Sequence, residues 1–151
     1  MRHLLGACLL AGLAYCSGAT ASEEEAVFKE WLTHKGGYVR VEKCADSDLL
    51  CGRISALSPD HEGPPPLDVN NKNPELQSRP LLGLQLFSDF EYKGKGHWKN
   101  GSIYNTDDGK TYDSKLKLLE NGDLKVSGCV LFVCQSYVWT PAPAGDVAAG
   151  E

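Results

Sequence analysis

Two stretches decide the fold: Tyr112-Asp113-Ser114-Lys115-Leu116-Lys117-Leu118 and Leu124-Lys125-Val126-Ser127-Gly128-Cys129-Val130, joined around Glu120-Asn121-Gly122. In the first, Tyr112, Ser114, Leu116 and Leu118 share one face and Asp113, Lys115 and Lys117 the other, the period of two that marks a half-buried strand. In the second, Leu124, Val126, Gly128 and Val130 share a face in the same way. A two-residue Asn121-Gly122 turn sets Lys117 opposite Val126 and mixes the faces. A three-residue loop with Gly122 left-handed pairs Leu118 with Leu124 and Leu116 with Val126, so the three-residue loop is expected.

The same logic extends in both directions. Residues 133–140 form the last strand, and pairing Cys129 with Cys134 brings Val126 opposite Tyr137 and Leu124 opposite Trp139. That register leaves Leu131 and Phe132 at the reversal, which are poor turn formers. Either the loop is wider, or an apolar tip is held by a disulfide. Upstream, Asp107-Asp108-Gly109 joins a strand ending near Asn105 to one starting at Lys110, and residues 81–90 and 97–104 supply two more strands. In the first hairpin, pairing Cys44 with Cys51 places Val41 opposite Ile54, Val39 opposite Ala56 and Glu42 opposite Arg53. About seven strands in a meander are expected to close, because open edges invite aggregation. The fold class is mostly β: one small antiparallel β-barrel.

Two segments depart from this pattern. Ser22 with Glu23-Glu24-Glu25 reads as a helix start and His34-Lys35-Gly36-Gly37 as its stop, predicting a short N-terminal helix that buries Val27, Phe28 and Trp31. Residues 58–80 form one long loop insertion, with Asn73-Pro74-Glu75 as an N-cap and a proline at the first helical position, and Pro80 ending that single turn.

The 151 residues, 42% hydrophobic and 23% charged, make one ordinary globular domain. Residues 1–21 read as a secretory signal: Arg2 and His3, an apolar run from Leu4 to Tyr15, then Ala19-Thr20-Ala21, with cleavage before Ser22. A lipidated start at Cys8 or Cys16 is the alternative, and Tyr15 fits it poorly. The mature domain is expected over residues 22–151, its last ten or so residues disordered. It keeps 14 basic and 20 acidic residues, a net of −6, which argues against nucleic acid and anionic membrane as partners. It also keeps Cys44, Cys51, Cys129 and Cys134, read as two disulfides of an exported protein. A zinc site of all four lacks the two-residue spacing.

Motifs for chemistry are absent. His34, His61 and His97 show no metal-ligand spacing. Residues 68–73 come near a calcium loop, but Lys72 holds a ligand position and the bend glycine is missing. No nucleophile elbow or phosphate loop is present, so no catalytic residue, metal or cofactor is expected.

Arranged in order, Trp31-Leu32-Thr33, Cys44, Cys51-Gly52-Arg53-Ile54, Asp68, Asn73-Pro74, Arg79-Pro80-Leu81-Leu82-Gly83, Trp98 with Gly101, Gly109-Lys110-Thr111-Tyr112, Leu124-Lys125-Val126, Gly128 and Trp139-Thr140 resemble the family of short exported bacterial proteins called domain of unknown function 2147. The resemblance implies a lipocalin-like barrel in a periplasmic or secreted protein, and no established activity. Two departures stand out: Lys29-Glu30 where that family tends to place Gly before the first Trp, and Pro141 where it tends to place Arg after Trp-Thr.

Inside such a barrel Ser102, Ser114, Gly128 and Gln135 are expected to form one inward row, with Tyr104, Tyr112, Val130 and Val133 toward one end and Leu118, Leu124 and Trp139 toward the other. A middle row of small and polar side chains leaves space for a small molecule. The opposing reading is a narrow barrel plugged by Trp31 or the long loop, its serines bonded to one another. The functional expectation is a noncatalytic binding protein that takes a small amphipathic or apolar ligand at Tyr104, Tyr112, Ser114, Gln135 and Tyr137. The alternative is an envelope interaction protein that meets its partner protein through Leu131 and Phe132.

Overall fold

A computed structural model describes residues 22–144. The expected leader and the last residues of the expected C-terminal tail lie outside them. Eight antiparallel strands close into a barrel in chain order: β1 Glu30–Leu32, β2 Tyr38–Lys43, β3 Leu50–Ala56, β4 Gln85–Tyr92, β5 His97–Asn105, β6 Lys110–Leu118, β7 Leu124–Val130 and β8 Val133–Pro141. The hairpin that led the sequence reading forms as read, with Leu116 opposite Val126 and Leu118 opposite Leu124. The last one does too, with Val126 opposite Tyr137 and Leu124 opposite Trp139. Among the described residues no helix is long and apolar enough to cross a membrane.

The expected N-terminal helix is not there. Glu25–Val27 makes one 3-10 turn and Glu30–Leu32 is the strand that closes the barrel, pairing with β2 through Trp31–Val39 and with β8 through Trp31–Pro141. Without β1 the barrel has two raw edges, and pairing both outweighs the local preference of Glu23-Glu24-Glu25 for a helix start. The apparent helix stop is the β1–β2 turn, closed by a Thr33 N–H to Gly37 carbonyl bond of 2.9 Å.

The first hairpin also shifts. Val39 faces Ile54, Val41 faces Gly52 and Glu42 faces Cys51. Cys44 and Cys51 are thus diagonal neighbours, their Cα atoms 4.9 Å apart, and the disulfide forms across the diagonal. Glu42 and Arg53 still meet at 2.7 Å.

Two bulges fix the core. Asp89 and Asn100 take φ of +61° and +62°, and the β5–β6 register slips between Trp98 and Gly101. Phe87 and Phe90 are consequently both buried, three residues apart, as are Trp98 and Gly101. A Cβ on Gly101 would lie 2.3 Å from the Phe90 ring, so only glycine fits there. Trp31, Phe87, Phe90, Trp98, Leu116 and Leu124 fill the barrel end where the β2–β3, β4–β5 and β6–β7 turns lie. The Trp31 indole N–H donates to the Val27 carbonyl at 2.9 Å, and the Lys29 ammonium sits 5.5 Å from its ring. Val27 of the 3-10 turn is buried in this core and Phe28 packs against it.

Candidate functional site

At the opposite end, ringed by the β1–β2, β3–β4, β5–β6 and β7–β8 connections, the inward side chains do not meet. They enclose a cavity of about 570 Å³. Gly128 contributes no side chain and Gln135, beside it on β8, is long but exposed. Val39, Ile54, Ile103 and Val126 form an apolar wall, and Trp139 forms part of the floor, stacked on Phe87 with centroids 5.1 Å apart. Neither Trp31 nor the long loop plugs the space.

The expected site residues divide. Tyr112, Gln135 and Tyr137 line the cavity together, the Gln135 amide donating to the Tyr137 hydroxyl and the Tyr112 hydroxyl to Asp108. That bond holds the Tyr112 hydroxyl above its ordinary pKa and Asp108 below the usual carboxylate range. Ser114 is not among the lining residues: it is buried and its hydroxyl donates to the Ser127 carbonyl at 2.8 Å. The bulge at Asn100 moves Gly101, not Ser102, opposite Ser114 in the inward row.

Tyr104 borders the cavity, but its hydroxyl serves the long loop. It donates to Asp68 at 2.6 Å and accepts from Asn71 at 2.9 Å, while the Arg79 guanidinium lies 5.6 Å from its ring. The Asp68 side chain is wholly buried and also accepts from Asn71 at 2.8 Å and from both Arg79 Nε and a terminal nitrogen at 2.9 and 2.8 Å. Burial pushes its carboxyl up, but the bonds from Tyr104, Asn71 and Arg79, with the guanidinium charge, outweigh that and hold it below the usual range. The network clamps residues 58–80 against the barrel. Asn70 adds a 3.0 Å bond to the Thr106 carbonyl, and a Cβ on Gly109 would fall 1.9 Å from the Asn70 oxygen. The β5–β6 turn at the cavity mouth is therefore braced from outside.

Sequence reading missed His34, Lys35, Asp107 and Asp108, which form the polar lip. His34 stacks on Tyr137, with centroids 3.8 Å apart and planes 6° apart, and accepts a long 3.4 Å bond from the Trp139 indole. Burial and then neighbouring Lys35 hold it below its ordinary pKa, partly opposed by Asp107. Lys35 pairs with Asp107 across the mouth, but both are half-exposed or more, so the tie adds little stability and can open. These residues carry no signature in the sequence. The only signal is that all four sit in the odd-numbered hairpin turns, which an eight-stranded meander gathers at one end.

The tip resolves as the apolar one. Val130 faces Val133, the reversal is Leu131 and Phe132 alone, and Cys129–Cys134 staples it beneath. Leu131 is 89% and Phe132 98% exposed.

Residues 30–141 match the protein family described as "Uncharacterized protein conserved in bacteria (DUF2147)". The chain belongs to this family. No curated protein matches it. Among solved structures it is similar to one described as "Protein HP1028 from the human pathogen Helicobacter pylori belongs to the lipocalin family", at 22% identity over 78% of this chain and 84% of that one, with a TM-score of 0.68. At that identity the likeness establishes the fold, a lipocalin-like barrel, and this member of DUF2147 has it.

Proposed function

We propose that the protein is a noncatalytic binding protein that takes a small amphipathic or apolar ligand into the open end of its barrel. The observation that supports this is the cavity: about 570 Å³, within the roughly 300–1,000 Å³ of small-molecule sites, with an apolar wall and a polar lip. An apolar ligand body would lie against Val39, Ile54, Ile103 and Val126, and its polar end at Tyr112, Gln135, Tyr137 and the His34 lip. The carboxylates of the site, Asp107 and Asp108, are at the rim and bonded to Lys35 and Tyr112. Export, with cleavage between Ala21 and Ser22 into a periplasmic or secreted form, is part of the same reading, and two disulfides are compatible with it.

The test is a titration with the neutral apolar fluorophore N-phenyl-1-naphthylamine. A Cβ on Gly128 would make only ordinary contacts, 3.4 Å to Ile103 and 3.8 Å to Tyr112, so a leucine there projects into the cavity without disturbing the wall. The wild-type chain should bind one probe and Gly128→Leu at least tenfold more weakly, at unchanged Tm. Equal binding by the two chains would remove the cavity as the site.

A further inference from the structure

We infer that the Leu131–Phe132 tip inserts into the acyl boundary of a lipid bilayer with uncharged net headgroup charge, so that the cavity exchanges its ligand with the membrane. The inference builds on the ligand-binding reading.

Four features carry it. First, Val130, Leu131, Phe132 and Val133 are 59%, 89%, 98% and 77% exposed, an unbroken apolar run at the extreme end of a hairpin. Second, the fold does not ask for these residues. Leu131 holds φ of +54°, which favours glycine in a two-residue reversal, so a leucine there costs backbone strain and gains no packing. Third, Val130 and Val133 line the cavity as well, so an apolar track runs from the cavity wall to the tip. On β7 that track is Val126, Gly128 and Val130, which runs from the wall to the tip beside Gln135 on β8. Fourth, the shape suits lipid better than protein. Two side chains on a convex turn offer on the order of 300 Å², against about 800 Å² per partner in a stable protein interface. A bilayer needs no complementary groove, and insertion depends on buried apolar area alone when charge does not help. The net of −6 in residues 22–151 disfavours anionic headgroups, which leaves a zwitterionic leaflet.

The experiment is flotation of the exported chain with phosphatidylcholine vesicles, beside the double variant Leu131→Gly/Phe132→Ser. Glycine suits the φ at position 131, so the variant should keep the wild-type Tm. Wild type should float with the vesicles, with little dependence on salt, and the variant should partition at least tenfold less. A wild-type chain that stays in solution overturns the inference. So does equal flotation of the variant, or flotation only on anionic vesicles that salt abolishes. A tip that instead binds a purified protein and leaves vesicles alone would also overturn it, in favour of a protein contact. The naphthylamine titration, run without vesicles, separates the two ideas: flotation without probe binding sinks the cavity reading and keeps the tip, and the reverse sinks the tip alone.

Discussion

The two ends of the barrel are made from the same eight strands and obey different rules of filling. At one end, aromatic side chains brought inward by two bulges pack on one another and on the neighbouring strand: Phe90 lies against Gly101, Phe87 meets Phe90 edge to face at 5.4 Å, and Trp98 is buried beside Tyr92. At the other end Gly128 carries no side chain, and the space left between Val39, Ile54, Ile103, Tyr112, Gln135 and Tyr137 stays open. The alternation of strand residues decides which side chains face in; their size decides whether they touch. The filled end can carry the stability of the domain, which leaves the open end free of that demand. Each end also has its own disulfide, Cys44–Cys51 under the β2–β3 turn and Cys129–Cys134 under the tip.

That division of labour has consequences of graded size. Trp98→Ala at the filled end should cost about 3–5 kcal/mol by removing a buried ring, whereas Tyr112→Ala at the open end should stay within about 1 kcal/mol while weakening probe binding several-fold. Denaturant melts of the two variants check this, and equal losses would mean the ends are not distinct. Asp68→Ala comes next. It leaves Tyr104 and Arg79 without their shared acceptor, and because Arg79 is partly exposed the loss should be about 2–3 kcal/mol rather than that of a fully buried pair. Asp68 is held below the usual carboxylate range, so its contribution is present above a pH of about 4 and fades as pH falls through its lower folded value. Wild type should therefore lose stability in that acid window and Asp68→Ala should not show this component; parallel acid melts of the two chains would contradict the clamp.

The sequence made some of this legible and hid the rest for physical reasons. The hairpins from Lys110 to Trp139 could be registered residue by residue, because charged and apolar faces alternate cleanly and a mismatch is visible at once. Phe87 and Phe90 defeat that logic: three residues apart, they share a face only because of a bulge at Asp89. The bulge at Asn100 likewise exchanges Ser102 for Gly101 in the inward row. Glu30–Leu32 reads as helix locally and becomes strand because closure needs it. At the site, Tyr112, Gln135 and Tyr137 follow from the registered strands, whereas the Asp68–Tyr104–Arg79 clamp and the His34 lip join residues 36, 11 or 105 positions apart and depend on where loops land. Strand periodicity carries no information about such contacts.

In the proposed function the open end, and not the filled one, receives the ligand. Backbone amide NMR during the naphthylamine titration tests it most directly, because each residue reports separately. Shifts should concentrate at Ile103, Tyr112, Gly128, Gln135 and Tyr137, with Trp31, Phe90, Leu116 and Leu124 unmoved. Shifts centred on the latter group, or scattered over the outer face of residues 58–80, would contradict the account.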